Sequence, residues 1–403
     1  MTQTAPPGTV SPAAPDRHPA TADVRFPHLD ALRALGATMV VATHVGFQTA
    51  RTIEGPFSAT LARLDFGVAL FFVLSGFLLF RPVAHASALG LSRPDTRTYL
   101  WRRALRILPA YWLAVVLALV LLPQNDGSGP ATWGRHVFLV QIYQAGWQRH
   151  GLTQTWSLCT EVAFYLLLPL LAVLVLGRVG GRWRPKRAAA ILFGLVLVSQ
   201  AWHLLAVSRG GLDPRVAGQW LPAYLSWFAA GMLVALAHTQ VTTGPRTKAA
   251  APGWHLPRRV AESPGACWVM AGAVFAIATT PLAGPRSLEG QPTAGDSVMK
   301  NLLYVTAAVL IVLPAVFPPP GARVLDLLRS APLRWLGQIS YGIFLYHLVV
   351  LELLVRWRHE ALFTGSWIEL FLLTWTLTVV VAALSYYALE RPLLRLAHRR
   401  TAG

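Results

Sequence analysis

HLDALRALGATMVVATH, residues 28–44, is an apolar run interrupted by Asp30, Arg33 and His44. On a helix of 3.6 residues per turn, the eleven steps from Arg33 to His44 return to nearly the same face, about 16 Å along the axis. Asp30, three residues before Arg33, falls close to that face. Ionisable side chains inside a membrane span are costly, so they face a bundle interior or a wet cavity and mark a functional path. The stretch is therefore a membrane helix with a polar stripe, Arg33 near one end and His44 in the opposite half.

The rest of the chain is of the same kind. Its 403 residues are 54% hydrophobic and 13% charged, with a mean hydropathy of +0.48; soluble domains are about 25% charged. The expected fold is all-α, a polytopic membrane bundle of about ten transmembrane helices. The spans are read at 28–50, 65–80, 106–123, 156–177, 188–207, 219–238, 265–283, 298–317, 338–355 and 367–389. Segment 133–144 is too short to cross and reads as a re-entrant or surface piece. With the N-terminus placed in the cytoplasm, 24 of the 35 Lys and Arg lie at or beyond the inner ends of the spans, 10 at or beyond the outer ends, and Arg33 inside the first span. That excess puts both termini in the cytoplasm. It also accounts for the net charge of +18 without nucleic acid, which is excluded as a partner. Three segments follow: a disordered tail over 1–25, a membrane domain over 26–395, and a second short tail over 396–403. Cys159 and Cys267 sit in apolar stretches and are read as packing. Neither metal-ligand spacing, a Gly-rich phosphate loop nor a nucleophile elbow occurs, so no metal and no bound cofactor is expected.

Several polar groups are candidates for chemistry. His44 suits a general base near neutral pH; the plainer alternative is a histidine bonded to a neighbouring helix. Arg102, Arg103 and Arg106 lie in WRRALRILPAYW, ahead of the third span. Arg103 and Arg106 share a helix face, and paired guanidiniums suit phosphate. Taken alone they are ordinary membrane anchors; with Arg33 at the same end they make an anion site. In TWSLCTEVAFYLLLP, Ser157, Glu161 and Tyr165 recur at four-residue spacing and form one stripe. Counted from Trp156, Glu161 comes to about the depth of His44. It is expected to orient that imidazole, bind a sugar hydroxyl, or brace two helices. Supporting positions are Asp65, Ser75 beside Gly76, Trp156, Tyr341, Tyr346, His347 and Glu390. A structural ion pair is expected at Glu390-Arg391, and an interfacial role for His203.

Taken in order, HLDALRALGATMVVATH, FGVALFFVLSGFLL, RRALRILPAYW, QTWSLCTEVAFYLLLP, LGQISYGIFLYH and LERP resemble the acyltransferase-3 family of bacterial membrane O-acyltransferases, over residues 26–395. The resemblance implies a multi-pass protein of the bacterial plasma membrane. It would transfer an acyl group, acetyl first, from cytoplasmic acyl-CoA to a hydroxyl of a sugar, glycolipid or glycosylated metabolite. The family's essential positions carry over to Arg33, His44, Arg103 and Arg106, and its tryptophan–serine–leucine…glutamate element to Trp156, Ser157, Leu158 and Glu161. Many relatives have two acids where this chain has Thr160-Glu161. The chain resembles the stand-alone form of the family. A cell-envelope glycan or glycolipid is the first acceptor to consider and a macrolide-like metabolite the second. A transporter or lipid flippase is the rival from another class; it too would need intramembrane charges, and a CoA-release assay beside a transport assay separates the two.

Overall fold

Pro27 opens the first helix, α1 (Pro27–Gln48). Proline is tolerated there because the first N–H of a helix has no partner to lose. The computed structural model describes residues 26–178, 180–208, 212–244, 252–286, 290 and 292–402, and the expected tail over 1–25 lies outside them. After α1 come α2 (Gly67–Ala88), α3 (Thr96–Leu121), α4 (Pro130–Val137), α5 (Trp156–Leu176) and α6 (Pro185–Ser208). Then follow α7 (Leu221–Thr243), α8 (Pro264–Ala278), α9 (Ala294–Val316), α10 (Ala331–Trp357), α11 (Trp367–Ser385) and α12 (Arg391–Ala402), with no strand among the described residues.

Eight helical stretches among the described residues are long and apolar enough to cross a membrane, or nine if one bent pair is a single span. The chain is thus a polytopic helical bundle. Two of the ten expected spans stand apart from the eight. One is the bent pair, Gly253–Ala261 with Pro264–Ala278, which turns by 93°. The break falls at Ser263-Pro264, where proline pushes the preceding residue out of the helical region; Ser263 has φ −118° and ψ 78°. The other is α1, whose Asp30, Arg33 and His44 dilute its hydropathy. It is surrounded by protein, packed on α2, α10 and α11.

Two boundaries move in ways that bear on the site. α3 begins at Thr96, ten residues before the expected start at 106. The Asp95 carboxylate caps it by accepting the Thr98 N–H at 2.8 Å, satisfying one of the donors a helix start leaves open. Arg102, Arg103 and Arg106 are therefore part of the helix rather than a prelude to it. α2 with its preceding turns forms a span of 31 residues, Ser58–Ala88, where only 65–80 was expected. α4 has eight residues, about 12 Å of rise, well short of a bilayer core of about 30 Å.

Close backbone approach sets the packing. A side chain on Gly76 of α2 would strike the Phe228 carbonyl of α7, and one on Gly231 of α7 would strike the Val73 carbonyl of α2. Small residues of this kind let membrane helices gain dispersion contacts where no hydrophobic driving force exists between them. Above that contact Phe228 stacks between Phe72 and Phe164, with centroids 4.5 and 4.0 Å apart. On the other side of the bundle Gly337 of α10 lies against the Asp30 carbonyl of α1. Cys159 and Cys267 are buried free thiols, as packing residues should be. His203 is a brace rather than an interfacial group: it is 8% exposed and its Nε2 donates to the Ala223 carbonyl at 2.9 Å.

Candidate active site

Five helices wall one cavity, and three of them bring charge to it. α1 supplies Arg33, α2 supplies Ser75, α3 supplies Arg103 and Arg106, and α5 supplies Ser157, Glu161 and Tyr165; α10 closes the ring with Ser340, Tyr341 and Phe344. Arg33 is held by Asp30, one helical turn away, at 3.8 Å. The Arg103 guanidinium lies 5.8 Å from the centre of the Tyr165 ring. Beyond that contact, Arg103 and Arg106 make no hydrogen bond and no ion pair within 4 Å among the described residues. Each guanidinium carries five N–H donors, so most of the donor capacity of this cavity is unspent by the protein. Three guanidiniums meet one carboxylate there. The excess positive charge and the planar donor forks suit phosphate groups.

Glu161 is fixed at the wall of this cavity. Its Oε1 accepts the hydroxyls of both Ser75 and Tyr165, the latter at 2.5 Å. Ser157, on the same stripe of α5, lines the cavity and donates to the Gln154 carbonyl at 3.3 Å. The helical spacing of Ser157, Glu161 and Tyr165 thus does place all three on one face. The expected neighbour of Glu161 is not there, however: Glu161 makes no contact with His44.

His44 lies further along α1 with a different partner. Its Nδ1 is 2.7 Å from the Val40 carbonyl and 3.3 Å from Nε2 of His347 on α10. The two rings are 5.0 Å apart, tilted by 55°. His347 is completely buried, and its Nδ1 is 2.6 Å from the Phe344 carbonyl. Neither histidine lines the arginine cavity. Phe344 does, together with Phe71, 6.0 Å from it; the Phe344 ring also lies 6.2 Å from His347. Phe344 therefore borders both the basic cavity and the ring of His347. Nothing in the sequence distinguished Phe71 and Phe344 from ordinary core residues, since their apolar neighbours look the same.

The remaining expected positions scatter. Arg102 is on the exposed face of α3 and outside the cavity. Trp156 packs on Tyr224, 5.1 Å between centroids, rather than lining it. Asp65 accepts from Lys300 Nζ at 2.6 Å and from the Tyr304 hydroxyl at 2.5 Å, away from the arginines. The Tyr346 hydroxyl donates to the Ala110 carbonyl at 3.2 Å and pairs with Ser385 at 2.8 Å, a helix contact. Tyr341 does line the cavity, its hydroxyl anchored on the Ile107 carbonyl at 2.9 Å. The ion pair expected at Glu390-Arg391 does not form. The Arg391 guanidinium lies over the Tyr387 ring at 5.5 Å, and Glu390 is buried on a π-helical turn with Ser385 at 3.4 Å. That wider turn rotates Glu390 away from its neighbour and into the protein.

Comparison with known proteins identifies the family. An acyltransferase domain family matches residues 26–388. The peptidoglycan O-acetyltransferase OatA of Listeria monocytogenes is 24% identical over 386 residues, 91% of this chain and 55% of OatA. The acyltransferase MdmB of Streptomyces mycarofaciens is 28% identical over 409 residues, 94% of each chain. Nodulation protein 10 of Rhizobium leguminosarum is 24% identical over 400 residues, 92% of this chain and 93% of its own. The chain spans about half the length of OatA and of the YrhL protein of Bacillus subtilis, each matched over 55% of its length. No solved structure matches it.

Proposed function

The chain belongs to the acyltransferase family matched over residues 26–388, and from that premise we propose that it is an acyl-CoA-dependent membrane O-acyltransferase. The acyl group, acetyl first, passes to a hydroxyl of a cell-envelope glycan or glycolipid. The arginine end of α1 faces the cytoplasm of a bacterial plasma membrane. The observation that carries this reading is the convergence of Arg33, Arg103 and Arg106 on one cavity, with Arg103 and Arg106 free of hydrogen bonds and ion pairs among the described residues.

In this mechanism the three guanidiniums hold the phosphates of the acyl-CoA. The pantetheine arm is long and thin, and runs along α1 past Phe71 and Phe344. It delivers the thioester to His44, which lies about 16 Å of helix from Arg33. His44 takes the proton of the acceptor hydroxyl while the hydroxyl oxygen attacks the thioester carbonyl. The C–S bond breaks, and the proton passes to the departing thiolate. Glu161, fixed by Ser75 and Tyr165, limits the net positive charge of the cavity and the mutual repulsion of its arginines. Holding both reactants in a dry channel supplies a large part of the acceleration.

A second reading is acylation of a sugar-bearing secondary metabolite such as a macrolide: the relatives named for peptidoglycan match along only 55% of their length, so their acceptor does not come with the shared domain. The test is direct. Protein in nanodiscs receives radiolabelled acetyl-CoA with either muropeptide glycan or a glycosylated macrolide, and label on the acceptor is counted beside free CoA thiol. Label on either acceptor with matching thiol release supports the enzyme and selects the acceptor. Transport of a solute with no CoA binding would replace it with the transporter reading.

A further inference from the structure

The histidine pair is more specific than two rings in contact, because backbone carbonyls dictate where its protons sit. A carbonyl oxygen only accepts. The Phe344 carbonyl, 2.6 Å from Nδ1 of His347, therefore requires a proton on that nitrogen. A neutral imidazole carries one N–H, so Nε2 of His347 is left with a lone pair. The Val40 carbonyl, 2.7 Å from Nδ1 of His44, imposes the same tautomer on His44. The Nδ1–H of His44 is then shared between the Val40 carbonyl and the His347 lone pair at 3.3 Å. What remains is Nε2 of His44, a lone pair with no partner among the described residues, on a side chain that is only half-buried.

We infer that His347 is the positioning residue of His44: it locks the Nδ1–H tautomer and leaves Nε2 as the atom that accepts the acceptor's proton. This rests on the reading of His44 as the base. The role is the one a carboxylate plays beside a catalytic histidine, here filled by a neutral ring. When Nε2 of His44 gains its proton, the imidazolium keeps its Nδ1–H on the same two acceptors, so nothing reorganises during the transfer. A neutral partner also holds the imidazolium less tightly than a carboxylate would, which eases return of the proton to the leaving thiolate. His347 touches neither reactant; its burial at 0% exposure keeps water from competing for the bond.

Three variants and one spectrum test this. His347→Leu removes the acceptor and is expected to lower kcat by about 10- to 100-fold, a part of the usual general-base contribution, with KM for acetyl-CoA unchanged. His347→Gln, which offers an oxygen near the Nε2 position, is expected to restore most of kcat. Equal loss in both variants, or a loss of acetyl-CoA affinity, overturns the proposal in favour of a packing role. Histidine-selective ¹⁵N solid-state NMR of the protein in bilayers, assigned by difference against His44→Gln, reads the tautomer without any activity. Nδ1–H on His44 in the wild type, mixed with Nε2–H in His347→Leu, is the expected result; Nε2–H in the wild type overturns it. Full activity of His44→Ala with the expected spectrum would instead refute the assignment of His44 as base and leave the pairing intact.

Discussion

The two halves of α1 answer the same problem, a polar side chain in an apolar bundle, in opposite ways. At the Arg33 end, charge gathers from three helices and its donors are left open to a cavity. At the His44 end, each Nδ1 is tied to a carbonyl of its own helix and the two rings meet across α1 and α10. Unspent donors imply a ligand that arrives with its own charge. A closed chain of bonds that frees one nitrogen implies a proton transfer. Neither histidine lines the arginine cavity, so in the proposed reaction binding and chemistry are separable.

That separation can be broken experimentally, and the largest effect belongs to the histidine end. His44→Ala is expected to lower acyl transfer by about 10²- to 10⁴-fold, while CoA affinity, measured by calorimetry in nanodiscs, stays within twofold. Next come Arg33→Ala and Arg106→Ala. Each removes charged hydrogen bonds worth about 1.5–3 kcal/mol and should weaken CoA binding by about 10- to 100-fold. Added salt should reduce the difference from wild type, because screening weakens the same attraction.

Phe71→Leu sharpens the boundary between the halves. By shortening one wall it is expected to shift the ratio of butyryl to acetyl transfer by about tenfold, the scale of one or two methylenes in an apolar site. An unchanged ratio would mean that the acyl chain does not pass the aromatic pair. Glu161→Gln should have the smallest effect on function. It weakens the bonds to Ser75 and Tyr165 and costs about 1–2 kcal/mol of stability, read as a lower Tm, with CoA binding equal or tighter. Weaker CoA binding in that variant would show that Glu161 supports the arginines rather than opposing them.

The sequence displayed the helical stripes well and their azimuths poorly. Arg33 and His44 lie on one helix as their spacing requires, and Arg103 with Arg106 reach one cavity because three residues return to one face. Ser157, Glu161 and Tyr165 share a stripe for the same reason. Depth along α5, however, says nothing of which neighbour that stripe faces. Glu161 meets Ser75 and the arginines, and His44 turns the other way to His347. Tyr346 and His347 are adjacent in sequence but about 100° apart on α10; one bonds Ala110 and Ser385, the other reaches α1. The bend before α8 and the π turn at Tyr386–Glu390 are local breaks in helical register, and register is what span-reading assumes. The aromatic wall of the cavity, Phe71 and Phe344, was invisible because phenylalanines that wall a cavity and phenylalanines that fill a core have the same sequence neighbours.

The central claim is that one helix joins a phosphate site to a proton acceptor. It is tested most directly by the structure of the protein bound to an acetyl-CoA analogue whose thioester sulfur is replaced by methylene. The expected density places the phosphates against Arg33, Arg103 and Arg106 and the ketone carbon beyond the Phe71–Phe344 pair, beside Nε2 of His44. Phosphates bound away from those arginines, or a ketone that stays on their side of the aromatic pair, would contradict it.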